Sequence, residues 1–482
     1  MRPQQPVRDR SLSLWQSAVR ETILKRAETA AQKAAIEYGV SLHAMSVVSG
    51  KAVADLAAAS LKGKPDAQQA AIGTAQASDL AFKIAGAHQA GDVVAQTTLF
   101  EKLKSLVANY STLDVVGWAQ CLFRYVEYYI SAHSSPLYND WQQQTPPDWS
   151  FGLIEWTLPA TSKLLIIGDW GTHMDDNVAL LRQALKKFTP DAIIHLGDVY
   201  YSGTVPECKD NVLDVLDGLA KEPGMKRVPF FTMPGNHDYY SGGAGFYGTI
   251  AQVNSSLAKC LQKASYFCLR TVDDNWQFLA MDTGINDRNP VDHMAPSLEK
   301  SEVMWHHDKL DNFKGTTILL SHHQLFSANS KIADGQRPWL NESLNAVFRP
   351  YYDRIAAWFW GHEHNLVIFK DNQTFGDTVG LRKGRLVGCS AYEEAQNESP
   401  YDKHPDCTPV EYLPNMPQLG FSQYKSLTQK FYNHAFTLLE ISPAKIVAKY
   451  FEYPSWDQDY RPDPAPPIAN PIYTEDIARI KP

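Results

Sequence analysis

Five short polar segments, each placed directly after an apolar run, constrain this chain more than any other feature. Leu164-Leu165-Ile166-Ile167 leads into Gly168-Asp169-Trp170-Gly171, and Ala192 through Leu196 leads into Gly197-Asp198-Val199-Tyr200-Tyr201. Val228 through Met233 precedes Gly235-Asn236-His237-Asp238. Thr317 through Leu320 precedes Ser321-His322-His323, and Ile355 through Trp360 precedes Gly361-His362-Glu363-His364. Short runs rich in branched and aromatic side chains read as buried strands. The polar residues then stand just past strand C-termini, the edge of an α/β sheet where ligands bind. Helical patterns follow the first two motifs, from Asn177 to Phe188 and from Cys208 to Ala220, and this alternation predicts an α/β core.

The residue types select a chemistry. Asp169, Asp198 and Asn236 offer oxygens, His322, His362 and His364 offer imidazoles, and Tyr201 offers a phenol. That is too many ligands for one metal ion, and it suits two ions sharing a carboxylate. Oxygen and imidazole without thiolate point to Fe, Mn or Zn. A pair of ions roughly 3.5–4 Å apart is a common device for hydrolysing phosphate esters.

In this order the segments resemble the calcineurin-like metallophosphoesterase family. They are most similar to its purple acid phosphatases, whose pattern is GDxG, GDxxY, GNH(D/E), a lone His after a strand, and GHxH. Gly197 to Gly203, Lys226 to Asp238, Met281-Asp282-Thr283 and Leu298 to Trp305 look like the tartrate-resistant type. The resemblance covers residues 160–455 and implies a sandwich of two β-sheets flanked by helices. It also implies two metal ions, Fe(III) with Fe(II), Zn or Mn. By this resemblance Asp169, Asp198, Tyr201 and His364 hold the first ion, and Asp198, Asn236, His322 and His362 hold the second. His237 is implied as the group that stabilises charge or protonates the leaving alcohol, while a metal-bound hydroxide attacks phosphorus. His323 and Tyr239 are expected to stand behind the ligands or to face substrate, and Asp238 to hold its loop. The family's Pro two residues past the lone His is Gln324 here, and its further His nine residues past is Lys331. Substrate range and pH optimum therefore do not follow from the resemblance. His173, His195, His306 and His307 lie in no motif and read as surface or satisfied core residues.

Composition excludes several other classes. The 482 residues carry a net charge of −8, which offers no general affinity for nucleic acid. Residues 1–150 are nearly neutral, with 14 Lys/Arg against 13 Asp/Glu, so the negative balance lies in the remainder. A phosphate-binding enzyme of that charge must draw in its substrate locally, through metal ions. No apolar run approaches the ~18 residues that span a membrane. The basic start Met1-Arg2 is not followed by an apolar stretch, which predicts a cytoplasmic chain or export without a signal peptide. The six cysteines form no CxxC and read as free, buried thiols, with Cys260 and Cys268 able to pair in an oxidising compartment.

The organisation along the chain divides it in three. Residues 1–150 are expected to be an α-helical region with linker, since 22 alanines fall within residues 1–100 and apolar stripes recur at helical spacing. Residues 1–10 read as a flexible start. The Pro-rich stretch 134–149 reads as a boundary that few contacts cross. Residues 151–455 would be the catalytic domain, and 456–482 an extended Pro-rich tail. The Gly-rich aromatic stretch from Tyr239 to Tyr247 is either a pocket wall or an ordinary loop. The main reading is a phosphomonoesterase. A phosphodiesterase or phospholipid-cleaving enzyme on the same site remains open, because pocket walls rather than ligands decide between them. So does a protein whose N-terminal helices dock a protein partner or a membrane.

Overall fold

A computed structural model of the chain describes residues 6–8, 110, 121, 124–125, 128–129 and 132–480, apart from 290–294, 334, 376–379, 397–399 and 426–429. Most of the helices predicted over 12–131 lie outside the described residues. Within the fifth, Cys121, Arg124 and Tyr125 are helical. No helix among the described residues is long and apolar enough to cross a membrane.

The catalytic region is an α/β sandwich of two six-stranded sheets. The first contains β1 (Ser162–Ile167), β2 (Ala192–His195) and β3 (Phe230–Thr232) as parallel neighbours. The second contains β4 (Phe267–Arg270), β5 (Trp276–Ala280), β6 (Thr316–Ser321), β7 (Ile355–Trp360), β8 (Leu366–Ile368) and β9 (Gly384–Val387), in the order β4-β5-β6-β7-β9-β8. A separate hairpin joins β10 (Phe421–Lys425) to β11 (Lys430–Tyr432). The first sheet is completed by β12 (His434–Ile441), β13 (Lys445–Tyr453) and β14 (Tyr473–Ala478), in the order β14-β13-β12-β1-β2-β3.

Strand alternation places the core. Leu164, Ile166, Ile194 and Phe231 turn inward and pack with Phe278, Ile318, Leu320 and Trp358 of the other sheet. Leu165, Ile167, Ile193 and Phe230 turn outward, under helix α1 (Asp175–Phe188), whose Val178, Leu181 and Leu185 meet them. Asp175 and Asp176 in its first turn and Lys186 and Lys187 in its last suit the helix dipole. The second predicted helix forms as Val205–Cys208, a π turn over Lys209–Leu213, and Asp214–Ala220.

Four boundary expectations need correction. The stretch 134–149 is packed against the sandwich. The Trp141 indole is buried, stacks on Trp149 with centroids 3.7 Å apart, and donates to the carbonyl of Ser301 at 2.8 Å. Its aromatic residues needed burial, and proline content carries no information about that. Residues 6–8 are not free either. Arg8 is fully buried, ion-paired with Asp176 and with Glu393, and donates to the Ala391 carbonyl at 2.8 Å. The tail contains β14, which pairs with β13 and buries Ile477, while Glu475 takes the Arg385 guanidinium at 2.7 Å. The aromatic stretch after the third motif continues into a helix, Ala244–Gln252, rather than an open loop. All six cysteines are buried, and no disulfide joins any two of them.

Candidate metal centre

The five motifs meet at one end of the sandwich. The ends of β1, β2 and β3 bring Asp169, Asp198 and Asn236 from one sheet, and the ends of β6 and β7 bring His322, His362 and His364 from the other. The His322 Nε2 lies 3.1 Å from the Asn236 Oδ1 and 3.4 Å from the Asp198 Oδ2. The His364 Nε2 lies 3.6 Å from the Asp169 Oδ1. Potential ligand atoms of Asp169, Asp198 and His322 all fall within 4.8 Å of one another, as do those of His322, His323 and His362.

The backbone is bent to achieve this. Asp169, Asp198 and His362 have φ of 54°, 71° and 69°, left-handed values that L-residues seldom adopt. Strain of this kind persists where the surroundings over-determine it and marks functional sites. Gly235 is required by close approach, since a Cβ there would fall 2.0 Å from the Asp198 Oδ1. The Asp238 carboxylate accepts from the amides of Asp198 at 3.0 Å and Gly235 at 2.8 Å, tying the second motif to the third, so it holds the loop as expected. Asn236 donates its amide to the Tyr240 hydroxyl at 2.6 Å, which turns its carbonyl oxygen toward His322.

The electrostatics fit a cation. Burial, with Asp198 adding to it, pushes the Asp169 carboxyl up to about 8. Burial also acts to raise Asp198, but the charges of His322 and His237 overcome it and hold that carboxyl well below the usual range. Burial acts to lower His322, and the Asp198 carboxylate raises it to about 9. Burial and the neighbouring imidazoles keep His362 and His364 far below their ordinary range, in the neutral form that binds metals.

Two expected tyrosines are placed otherwise. The Tyr201 hydroxyl accepts from the Tyr110 amide at 3.1 Å, and its ring stacks on Tyr110 at 4.6 Å. It is Tyr200 whose hydroxyl donates to the Asp169 Oδ1 at 2.9 Å and meets the His364 Nε2 at 3.1 Å. Tyr239 is buried and donates to the Asp282 Oδ2 at 2.7 Å, while its neighbour Tyr240 lies 4.8 Å, ring to ring, from His237. His323 is wedged between the Thr283 hydroxyl and the Asp287 carboxylate, each at 2.9 Å, with its ring 4.4 Å from that of His362. Asp287 and Tyr392, which packs 4.2 Å from the His364 ring, had no sequence signal because neither lies in a motif. Lys331 pairs with Asp406 at the surface. His195 and His306 are buried core residues, bonded to Thr232 and Glu302, and only His306 leaves a ring nitrogen, Nδ1, without a hydrogen bond.

A two-sheet sandwich with carboxylate, amide and imidazole groups converging at its strand ends is the architecture of a metal-dependent phosphoesterase. Residues 162–366 match the family model for calcineurin-like phosphoesterases, and the protein is a hydrolytic metallophosphoesterase that acts on phosphoesters. No curated protein sequence matches the chain. Among solved structures, a Plasmodium protein described as GAP50, the anchor in the inner membrane complex, is similar at 15% identity over 66% of this chain and 89% of its own, with a TM-score of 0.42. PhoD is similar at 10% identity, over 62% and 67%, with a TM-score of 0.40. A putative 5'-nucleotidase from Staphylococcus aureus is similar at 12% identity, over 48% and 49%, with a TM-score of 0.30.

Proposed function

We propose that the protein is a binuclear phosphatase for phosphomonoesters, closest in kind to the purple acid phosphatases. The observation that carries the reading is the convergence of six motif side chains from two sheets, three of them on left-handed backbone. In this reading Asp169, Tyr200 and His364 would hold one ion and Asn236, His322 and His362 the other, with Asp198 available to both. Tyr200 replaces Tyr201 as the phenolic ligand, because it is Tyr200 that reaches Asp169 and His364. Iron fits the first position with iron, zinc or manganese beside it. Bound ions would neutralise phosphate charge and acidify the attacking water.

The chain's own groups do the rest. His237 Nδ1 lies 2.6 Å from the carbonyl of Tyr201, which can only accept, so this nitrogen carries the proton. Nε2 is then turned toward the cluster, 3.9 Å from the Asp198 Oδ2, where it can hold or deliver a proton at the leaving oxygen. Thr283 and Asp287 lock the His323 ring beside His362 and so limit where a substrate oxygen can sit.

The test compares p-nitrophenyl phosphate with bis-p-nitrophenyl phosphate, using protein loaded with iron, zinc or manganese. Faster turnover of the monoester is expected. Preference for the diester would replace this reading with the phosphodiesterase one, and inactivity on both with every metal would remove it.

A further inference from the structure

The N-terminal region reaches the proposed catalytic histidine. Cys121 is fully buried, with its thiol 3.0 Å from the Tyr201 carbonyl and 3.7 Å from the His237 Nδ1. That carbonyl is the same atom that receives the His237 ring proton. Tyr110 stacks on the Tyr201 ring, donates its amide to the Tyr201 hydroxyl, and accepts from the Glu393 amide at 3.2 Å through its carbonyl. Tyr201 is thus gripped at its ring, its hydroxyl and its carbonyl by residues far away in sequence. Its own amide is held by the Glu207 carboxylate at 2.9 Å. The same region is anchored further along. Tyr129 donates to the Tyr239 carbonyl at 2.7 Å. The Tyr128 ring lies on Gly242, where φ is +89° and a Cβ would fall 2.1 Å from the ring.

We propose that Cys121 and Tyr110 are positioning residues, fixing the orientation and tautomer of His237 through the backbone of Tyr201. The inference rests on the reading that His237 serves the leaving group. Cys121 shares an acceptor with His237 and fills the space beside its Nδ1, so the ring cannot rotate away from Tyr201. Tyr110 keeps that acceptor in place from the other side. Tyr110 and Cys121 then act on the site only through Tyr201 and the His237 ring.

Leaving-group dependence tests this in the full-length, zinc-loaded protein. An alkyl phosphate such as β-glycerophosphate needs a proton on its departing oxygen, and p-nitrophenyl phosphate scarcely does. Cys121→Ala is expected to lower kcat on β-glycerophosphate by about tenfold, a fraction of the 10²–10⁴ available from general acid help. Its kcat on p-nitrophenyl phosphate, both KM values and the metal content should stay near wild type. Tyr110→Ala should behave likewise. Cys121→Ser, which keeps a donor to Tyr201, should recover the rate and guards against a folding artefact. In a His237→Ala background Cys121→Ala should add nothing, because the two act as one unit. Equal slowing of both substrates, or an undiminished effect in that background, overturns the proposal. A second readout separates this inference from its parent. The ¹⁵N spectrum of the wild type should show a single His237 tautomer protonated at Nδ1, and that of Cys121→Ala a mixture. An unchanged spectrum overturns the positioning role, whatever the rates. Full β-glycerophosphate turnover by His237→Ala alone would instead sink the parent reading, with the spectrum still deciding the positioning.

Discussion

At the scale of single residues, two pairs of adjacent tyrosines decide the chemistry of the site. In Tyr200-Tyr201 the first faces Asp169 and His364 and the second faces Tyr110. In Tyr239-Tyr240 the second faces Asn236 and His237 and the first faces Asp282. Neighbours on an extended or turning backbone point to different sides, so a shift of one residue exchanges ligand and core roles. Iron-loaded protein is therefore expected to show a visible phenolate-to-iron absorption band that disappears in Tyr200→Phe and survives in Tyr201→Phe. The reverse pattern would restore Tyr201 as the ligand, and colourless protein fully active with manganese or zinc would favour an enzyme without a phenolate. The carboxylates and imidazoles were legible because each stands directly after a buried strand, where direction is set by the sheet. Tyr200 and Tyr201 were not, because they lie in the turn after Asp198, whose φ of 71° redirects the chain.

At the scale of elements, the strand positions agree with their apolar runs to within two residues, and β7 spans the run Ile355 to Trp360 itself. The connections were harder to read. Residues 134–149 contain the prolines of a linker, yet they carry Tyr138, Trp141 and Trp149 onto the helix Lys300–Asp311 and its surroundings. Trp141→Ala in the full chain should lower unfolding free energy by about 3–5 kcal/mol, the usual cost of emptying a buried tryptophan site. Urea denaturation measures it, and a loss under about 0.5 kcal/mol, as for an ordinary surface position, would return the stretch to the linker class. Arg8 is a second case. Nothing in the sequence sets Arg8 apart from Arg2 and Arg10, and only the pocket formed by Asp176, Glu393 and the Ala391 carbonyl explains its burial.

At the scale of the whole molecule, the sandwich carries a buried acid pair behind the site. Burial, with Glu302 adding to it, raises Asp282 to about 7, and burial raises Glu302 to about 8. Both folded values lie above the ordinary carboxyl values of about 4. This pair therefore binds more protons in the native than in the unfolded state between about pH 4 and 8, and its own contribution to stability falls as pH rises through that window. The stabilising contribution is complete below pH 4 and lost as Glu302 ionises. Thermal melts of metal-loaded protein should show Glu302→Gln, which resembles the protonated side chain, gaining stability relative to wild type as pH rises from about 4 to 8. A difference between the two that does not change with pH would contradict the assignment.

The sequence by itself determined the α/β class, the strands of the sandwich and the six carboxylate, amide and imidazole residues that converge at the strand ends. It could do so because burial writes apolar runs into the chain and each ligand follows its run at once. Only the tertiary structure put the Tyr200 hydroxyl against Asp169, Cys121 beside His237 and Tyr110 on the Tyr201 ring. It alone showed that the supposed linker and tail are parts of the sandwich, the tail adding β14 to the first sheet. Those facts depend on contacts between residues distant in sequence, such as Tyr200 with Asp169, Cys121 with Tyr201 and Arg385 with Glu475. No local periodicity encodes such pairings, because they arise from packing distant segments together rather than from the preferences of either one.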